Sequence, residues 1–205
     1  MWNTHYNKIK NENHPPSHTL NTTLKLIKNS DYIENLKAID LGCGNGIDTI
    51  AMLERGFDVL AIDKNAYSLK DILISKNKNA KTKLLFKNYS FESITHLPSV
   101  HLINASFSLP FCKPNHFKNF WRIIHNSINF NGFFCGHFFG LNDTWSTNTN
   151  MTFCSLQEVK KIFIDYDLLY FEETSKEGKT LSGKKKHWHV FHVVAKKVKK
   201  NNEIF

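Results

Sequence analysis

The sequence predicts an α/β fold on a mostly parallel sheet, and three observations carry that prediction. Residues 38–63, AIDLGCGNGIDTIAMLERGFDVLAID, read as strand, glycine turn, helix and second strand. Short apolar runs then alternate with stretches of helical period, the pattern of strands crossed over by helices. The C-terminal end reads as two neighbouring strands, Asp167–Thr174 and His187–Val198, separated by Ser175–Lys186. At 205 residues the chain is long enough for one full core and short for two domains.

Taken in order, residues 1–17 are polar and close on Pro15-Pro16, so a helix is expected just after them, with Leu20, Leu24 and Ile27 on one face of His18–Lys28. The first strand runs from Ala38 into Gly42-Cys43-Gly44-Asn45-Gly46. A helix follows on Ile47, Ile50, Ala51 and Leu53, with Gly56 where a C-terminal cap is expected. Val59–Ile62 is the second strand. A helix is expected over Tyr67–Asn77, a third strand at Leu84–Phe86 and a fourth at Val100–Ala105. Lys113-Pro114-Asn115 opens a helix whose stripe is Phe117, Phe120, Trp121, Ile124 and Ile128. Asn131-Gly132 reads as a turn and Phe133–Phe139 as a buried fifth strand. Ser155 and Glu158 match a capping box ahead of a last helix on Leu156, Val159, Ile162 and Phe163.

The glycine stretch carries the chemistry. A tight strand-to-helix turn needs positive φ, and bare backbone there lets a ligand lie against the main chain. Asp63 ends the next strand about 20 residues on, where an acid accepts the hydroxyls of a ribose. The glycines at 42, 44 and 46 do not follow the dinucleotide spacing G-x-G-x-x-G, and no Lys-Ser/Thr pair follows to make a phosphate loop. A nucleoside-containing ligand is expected at the carboxyl edge of the sheet.

D-x-G-x-G-x-G followed by GIDTIAMLERGFDVLAIDKN resembles the first motif of class I S-adenosylmethionine (SAM) methyltransferases, and most of all the tellurite-resistance-type and related small-molecule enzymes. GKTLSGKKKHWHVFHVVAKK is similar to the C-terminal end of small bacterial methyltransferases. The resemblance implies a Rossmann-like, seven-stranded, mostly parallel sheet with helices on both faces, closed by an antiparallel hairpin. It implies a segment 1–30 acting as lid and helix, ahead of a methyltransferase domain over 31–205; for Trp2 and Tyr6 a place in the lid and a frayed terminus are the competing expectations. SAM is the implied cofactor and S-adenosylhomocysteine (SAH) the product. The implied cofactor contacts are Asp40, Gly42, Cys43, Gly44, Gly46, Asp63, Lys64, Ser90, Phe91 and Asn104. Most relatives carry an acid for the adenine at the end of the third strand; here Asn88, Ser90 or backbone groups stand in its place.

Catalytic candidates are Asn104 and Ser106, at the strand end that faces the transferable methyl in this fold, and His137 as a base. Asn104-Ala105-Ser106-Phe107 keeps the outer residues of the [DN]-P-P-[FY] motif of nucleic-acid amino-methyltransferases and lacks both prolines. Packing of His137 against a helix is the competing expectation. Phe107, Phe111, Phe138, Trp145 and Trp188 are the expected pocket walls. The expected reaction is direct in-line methyl transfer to a small molecule. An RNA or protein methyltransferase docked through the basic C-terminal region, or a non-catalytic SAM-binding protein, are the rival readings.

The formal charge of +9 invites a nucleic-acid partner, but much of it sits in 184–186 and 196–200, read as solvated lysines. Four scattered cysteines without a C-x-x-C pair read as free thiols. Of eleven histidines, His187 and His189 share a strand face opposite His192; no acid or cysteine of suitable spacing completes a metal site, so no metal is expected. No apolar run spans a bilayer, and MWNTHYNKIKNENHPP lacks the apolar core of a signal peptide, so a cytoplasmic location is expected.

Overall fold

The computed structural model describes residues 15–28, 35–65, 83–180 and 183–199. Trp2, Tyr6 and the expected helix over 67–77 lie outside them.

Helix α1 (His18–Lys28) starts directly after Pro15-Pro16, and strand β1 (Lys37–Leu41) begins the sheet. Helix α2 (Ile47–Glu54) leads to β2 (Asp58–Ile62) and β3 (Leu84–Lys87). Strand β4 (Val100–Ala105), helix α3 (Pro114–Ser127) and strand β5 (Ile128–Gly140) follow. A two-residue strand β6 (Phe153–Cys154), helix α4 (Leu156–Ile162) and the strands β7 (Tyr166–Lys179) and β8 (Lys185–Lys197) are the last of the described elements.

The strand order is β3-β2-β1-β4-β5-β8-β7, parallel except for β8, which runs antiparallel to both β5 and β7. That path has the expected seven strands; β6 is an eighth, pairing in parallel with the end of β5. Alternation along the strands sorts side chains between two layers. Ala38, Val59, Leu102 and Phe133 meet Leu20 and Leu24 of α1 and Met52 and Leu53 of α2. Ile39, Ile103, Phe134 and Phe138 meet Phe120, Trp121 and Ile124 of α3 and Val159 of α4.

Local signals explain most boundaries. Pro114 stands at the first turn of α3, where its missing N–H costs nothing. Ser155 Oγ accepts from Glu158 N, and the Glu158 carboxylate accepts from Ser155 N at 2.7 Å, the reciprocal cap of α4. Gly56, at φ 91°, ends α2 with its N–H on Leu53 O at 3.0 Å.

Two expectations change. Asn131-Gly132 is not a turn between elements but an irregularity inside β5, where the register against β4 shifts between Val100 and Leu102. Asn131 takes φ 64°, and a Cβ on Gly132 would fall 2.9 Å from Asn129 O. Nor is Ser175–Lys186 a loop: Ser175 pairs with His189 and Lys179 with Lys185, so the hairpin is longer at its tip.

The basic C-terminal stretch is not wholly solvated either. Lys197 is buried, and its ammonium donates to His125 O at 2.6 Å and Ile128 O at 3.0 Å, holding the carbonyl end of α3. Burial lowers its pKa to about 8. Lys186 is buried too, paired with Asp143 and ringed by Trp188, Trp145 and Phe139. All four cysteines are buried free thiols.

Candidate functional site

A chain that winds from β1 outward to β3 and then crosses back to β4 leaves a crevice between the carboxyl ends of β1 and β4. A cavity of about 450 Å³ opens there. Its wall takes Asp40, Gly42, Cys43, Gly44 and Asn45 from the end of β1, and Asp63, Lys64 and Asn65 from the end of β2. Ser90, Phe91 and Glu92 follow β3, and Ser106, Phe107 and Ser108 follow β4.

Positive φ shapes the glycine turn, and at Gly42 a close approach adds to it. Gly42 has φ 72°, and a Cβ there would stand 2.4 Å from that of Ser108. Gly46, at φ 79°, stands at the N-cap of α2. Gly44 donates its N–H to Asp63 Oδ2 at 3.0 Å, and Asn65 donates to Asp63 Oδ1 at 2.8 Å. The acid at the end of β2 is therefore clamped to the loop at the end of β1.

A second acidic group lies at the end of β1. Asp40 is fully buried, accepting from Thr49 Oγ1 and from Asn104 Nδ2. The same Asn104 nitrogen donates to Asp48 Oδ2 at 3.0 Å. Burial, and next the neighbouring Asp48 charge, raise the Asp40 pKa to about 7 against the opposing effect of those hydrogen bonds. Asp48 also accepts from Ser17 N at 2.8 Å, and Ser106 Oγ donates to Ser17 Oγ at 2.7 Å. The segment before α1 is thereby tied to the cavity rim, and Pro15 and Ser17 line it.

The expected residues divide between the cavity wall and the layer behind it. Asp40, Gly42, Cys43, Gly44, Asp63, Lys64, Ser90, Phe91 and Ser106 line the cavity; Gly46, Asn104 and His137 are not among its lining residues. Asn104 is buried beneath the two carboxylates. His137 faces the Phe107 turn: its ring stacks on Phe107 at 3.9 Å and its Nδ1 accepts the Phe107 N–H at 3.2 Å. Of the expected walls, Phe107 and Phe111 are in place. Phe138 is buried on the far layer against Trp121 and Phe163, while Trp145 and Trp188 enclose Lys186.

Asn88 donates to Asp63 O at 3.2 Å, bracing the end of β2, and is not among the residues lining the cavity. Glu92, not named among the replacements for the adenine acid, is in the wall; its Oε1 accepts from Lys113 N at 3.1 Å. Asp48, Ser17 and Ser108 were likewise not singled out. Acids stand beside the strand histidines: Glu177 pairs with His187 and Glu173 with His189 across the hairpin. No group of three or more metal-ligating side chains forms among the described residues.

A doubly wound sheet with a glycine loop, an acid at the end of the second strand and an antiparallel closing hairpin defines the class I SAM-dependent methyltransferase fold. The family model for the tellurite resistance protein TehB matches residues 6–183, and the chain belongs to that family. The crystal structure of TehB from Haemophilus influenzae superposes with a TM-score of 0.74 at 16% identity, covering 92% of this chain and 65% of that one. The 1,6-didemethyltoxoflavin-N1-methyltransferase of Burkholderia thailandensis, solved with 1,6-didemethyltoxoflavin and SAH, gives 0.66 at 14% identity, covering 89% and 78%. A ubiquinone biosynthesis O-methyltransferase of Leptothrix cholodnii is 34% identical over 62 residues, 30% of this chain and 26% of its own length. The chain thus spans about a quarter of that curated relative and about two thirds of the Haemophilus structure.

SAM is the cofactor of this class, and the residues present fit it. Four carboxylates (Asp40, Asp48, Asp63 and Glu92) and one ammonium, Lys64, line the described wall, which suits a ligand carrying an ammonium and a sulfonium. At Gly42 the approach of Ser108 leaves no room for a side chain at the turn.

Proposed function

We propose that this chain transfers a methyl group from SAM to a small-molecule acceptor. The observation that carries the proposal is the clamp of Asp63 on Gly44, which brings a ribose-binding acid and a bare-backbone loop into one cavity with Asp40. Asp40 and Asp48, spanned by the Asn104 amide, form the subsite for the methionine ammonium. Asp63 takes the ribose hydroxyls. Phe91, stacked on Phe120 at 4.9 Å, forms an apolar wall for the adenine, with Ser90 and Glu92 beside it. Pro15 and Ser17 on the rim support a lid role for the segment ahead of β1.

SAM when bound supplies a methyl group already activated for attack, so the protein's task is alignment. In-line positioning of that kind contributes about 7–11 kcal/mol to lowering a barrier. Ser106 is the one catalytic candidate of the three that lines the cavity, its hydroxyl proton engaged there by Ser17 Oγ. Asn104 and His137 act from behind the wall as positioning groups. An acceptor that is soft or already anionic needs no base beyond this.

The burial of Lys186 and Lys197 favours a small acceptor over nucleic acid or protein docked on the C-terminal strands, because two of the lysines that would form such a surface are interior. The experiment is an acceptor screen by SAH release, small molecules beside RNA and peptides. Turnover on a small molecule supports the proposal. Turnover on RNA alone, falling steeply with salt, would replace it, and tight SAH binding with no turnover on any acceptor would leave a cofactor-binding protein without this chemistry.

A further inference from the structure

Phe107 is the one non-glycine residue of the described cavity wall with a left-handed backbone, at φ 50°. A bulky side chain in that region is held there by its surroundings. Here the holder is His137. It accepts the Phe107 N–H on Nδ1 at 3.2 Å, and its ring lies under that of Phe107 with centroids 3.9 Å apart and planes 13° apart. His137 is only 2% exposed and meets the edge of His192, its register partner on β8, at 4.9 Å. With Nδ1 accepting, the ring proton sits on Nε2 and the imidazole is neutral. Burial, and after it His192 and His18, keep its pKa well below the usual histidine value.

A neutral imidazole behind the phenyl ring leaves the negative π face available, whereas an imidazolium would compete for it. Phe107 itself is 44% exposed and lines the same cavity as Asp40, Asp48 and Asp63. Those carboxylates address the ammonium and ribose that SAM and SAH share, so they do not tell the two apart. A sulfonium carries no N–H and donates no ordinary hydrogen bond; an aromatic face is a suitable partner for it.

We propose that Phe107, locked in place by His137, is the cation–π surface for the cofactor's sulfonium and makes the site prefer SAM over the neutral thioether product. The proposal rests on the cofactor reading above and adds two residues to it, Phe107 in contact and His137 as a positioning residue.

Calorimetric titration of SAM and SAH into wild type, Phe107→Leu, His137→Leu and His137→Asn tests it. Phe107→Leu is expected to raise the SAM Kd about 3- to 10-fold and to leave the SAH Kd within about 2-fold. His137→Leu moves the ratio in the same direction. His137→Asn, which keeps an acceptor near the position of Nδ1, retains most of the preference. An unchanged ratio in Phe107→Leu, or equal weakening of both ligands, would overturn the proposal; a wild-type ratio in His137→Leu would overturn the lock. If His137→Leu does not fold, His137→Asn and Phe107→Leu still decide the ratio. Failure of wild type to bind either ligand would instead remove the underlying cofactor reading.

Discussion

Asn104 and Asp40 face each other in the parallel register of β1 and β4, and the Asn104 amide donates to Asp40 Oδ1 at 2.8 Å. Because the same nitrogen reaches Asp48, one buried amide sets the spacing of two carboxylates that would otherwise repel. Asn104→Leu keeps the branched outline and removes the donor. It is expected to cost about 1–3 kcal/mol of stability and to weaken SAH binding, measured by urea unfolding and calorimetry on the same protein.

Asp40 gives the site a pH dependence with a definite sign. Its pKa is raised to about 7 in the folded protein, so as pH falls through 7 the carboxyl takes up a proton and ceases to attract an ammonium. The SAH Kd is expected to be flat above pH 8 and to rise toward 10-fold per pH unit below about 7, the limit for one proton taken up. Asp40→Asn should bind weakly at every pH and lack that limb. A titration series from pH 5.5 to 8.5 checks both.

The sign for folding is the reverse of the familiar carboxylate case. An acid whose pKa is higher folded than unfolded binds more protons in the native state, so its contribution to stability is fully present below pH 3.8 and is lost as pH rises through about 7. The stability difference between Asp40→Asn and wild type, measured without ligand, is therefore expected to shift in favour of the variant as pH goes from 4 to 8.

Gly42→Ala places a methyl group 2.4 Å from Ser108 Cβ at a φ of 72°. The left-handed backbone alone costs about 1–2 kcal/mol, and the clash must displace Ser108, whose hydroxyl donates to Leu41 O at 2.6 Å. Loss of SAH binding with a lowered melting temperature is the expected outcome.

Much of this was legible in the chain because the signals are local. Pro15-Pro16 with the Leu20, Leu24 and Ile27 stripe marks α1, the Ser155–Glu158 pair marks α4, and the spacing of Gly42, Gly44, Gly46 and Asp63 marks the site. What was not legible depends on tertiary contact. Asp48 reads as an ordinary acid in the first turn of a helix and becomes a site residue through Asn104, 56 positions away, and Ser17, 31 positions away. Asn131-Gly132 has turn chemistry, yet the strand continues through it because β4 pairs on both sides of the irregularity. Lysines on a terminal strand read as solvated; Asp143 and three aromatic rings are what draw Lys186 inside.

That burial makes a prediction of its own. Lys186→Met leaves the buried Asp143 carboxyl, among the described residues, with only Trp145 N at 2.9 Å and His189 N at 3.2 Å as donors. Removing one partner of a buried pair costs about 3–5 kcal/mol, to be read from denaturant unfolding. A loss confined to nucleic-acid binding, with stability intact, would be the signature of a docking lysine instead.

The central claim, a SAM site closed by Asp63 on the glycine loop, is tested most directly by calorimetric titration of SAH into wild type and Asp63→Ala. Micromolar binding by wild type and a loss of at least about 10-fold in the variant, roughly one charge-assisted hydrogen-bonding site, is the predicted result. A folded wild-type protein that binds neither SAH nor SAM, or an Asp63→Ala variant that binds as tightly as wild type, would contradict it.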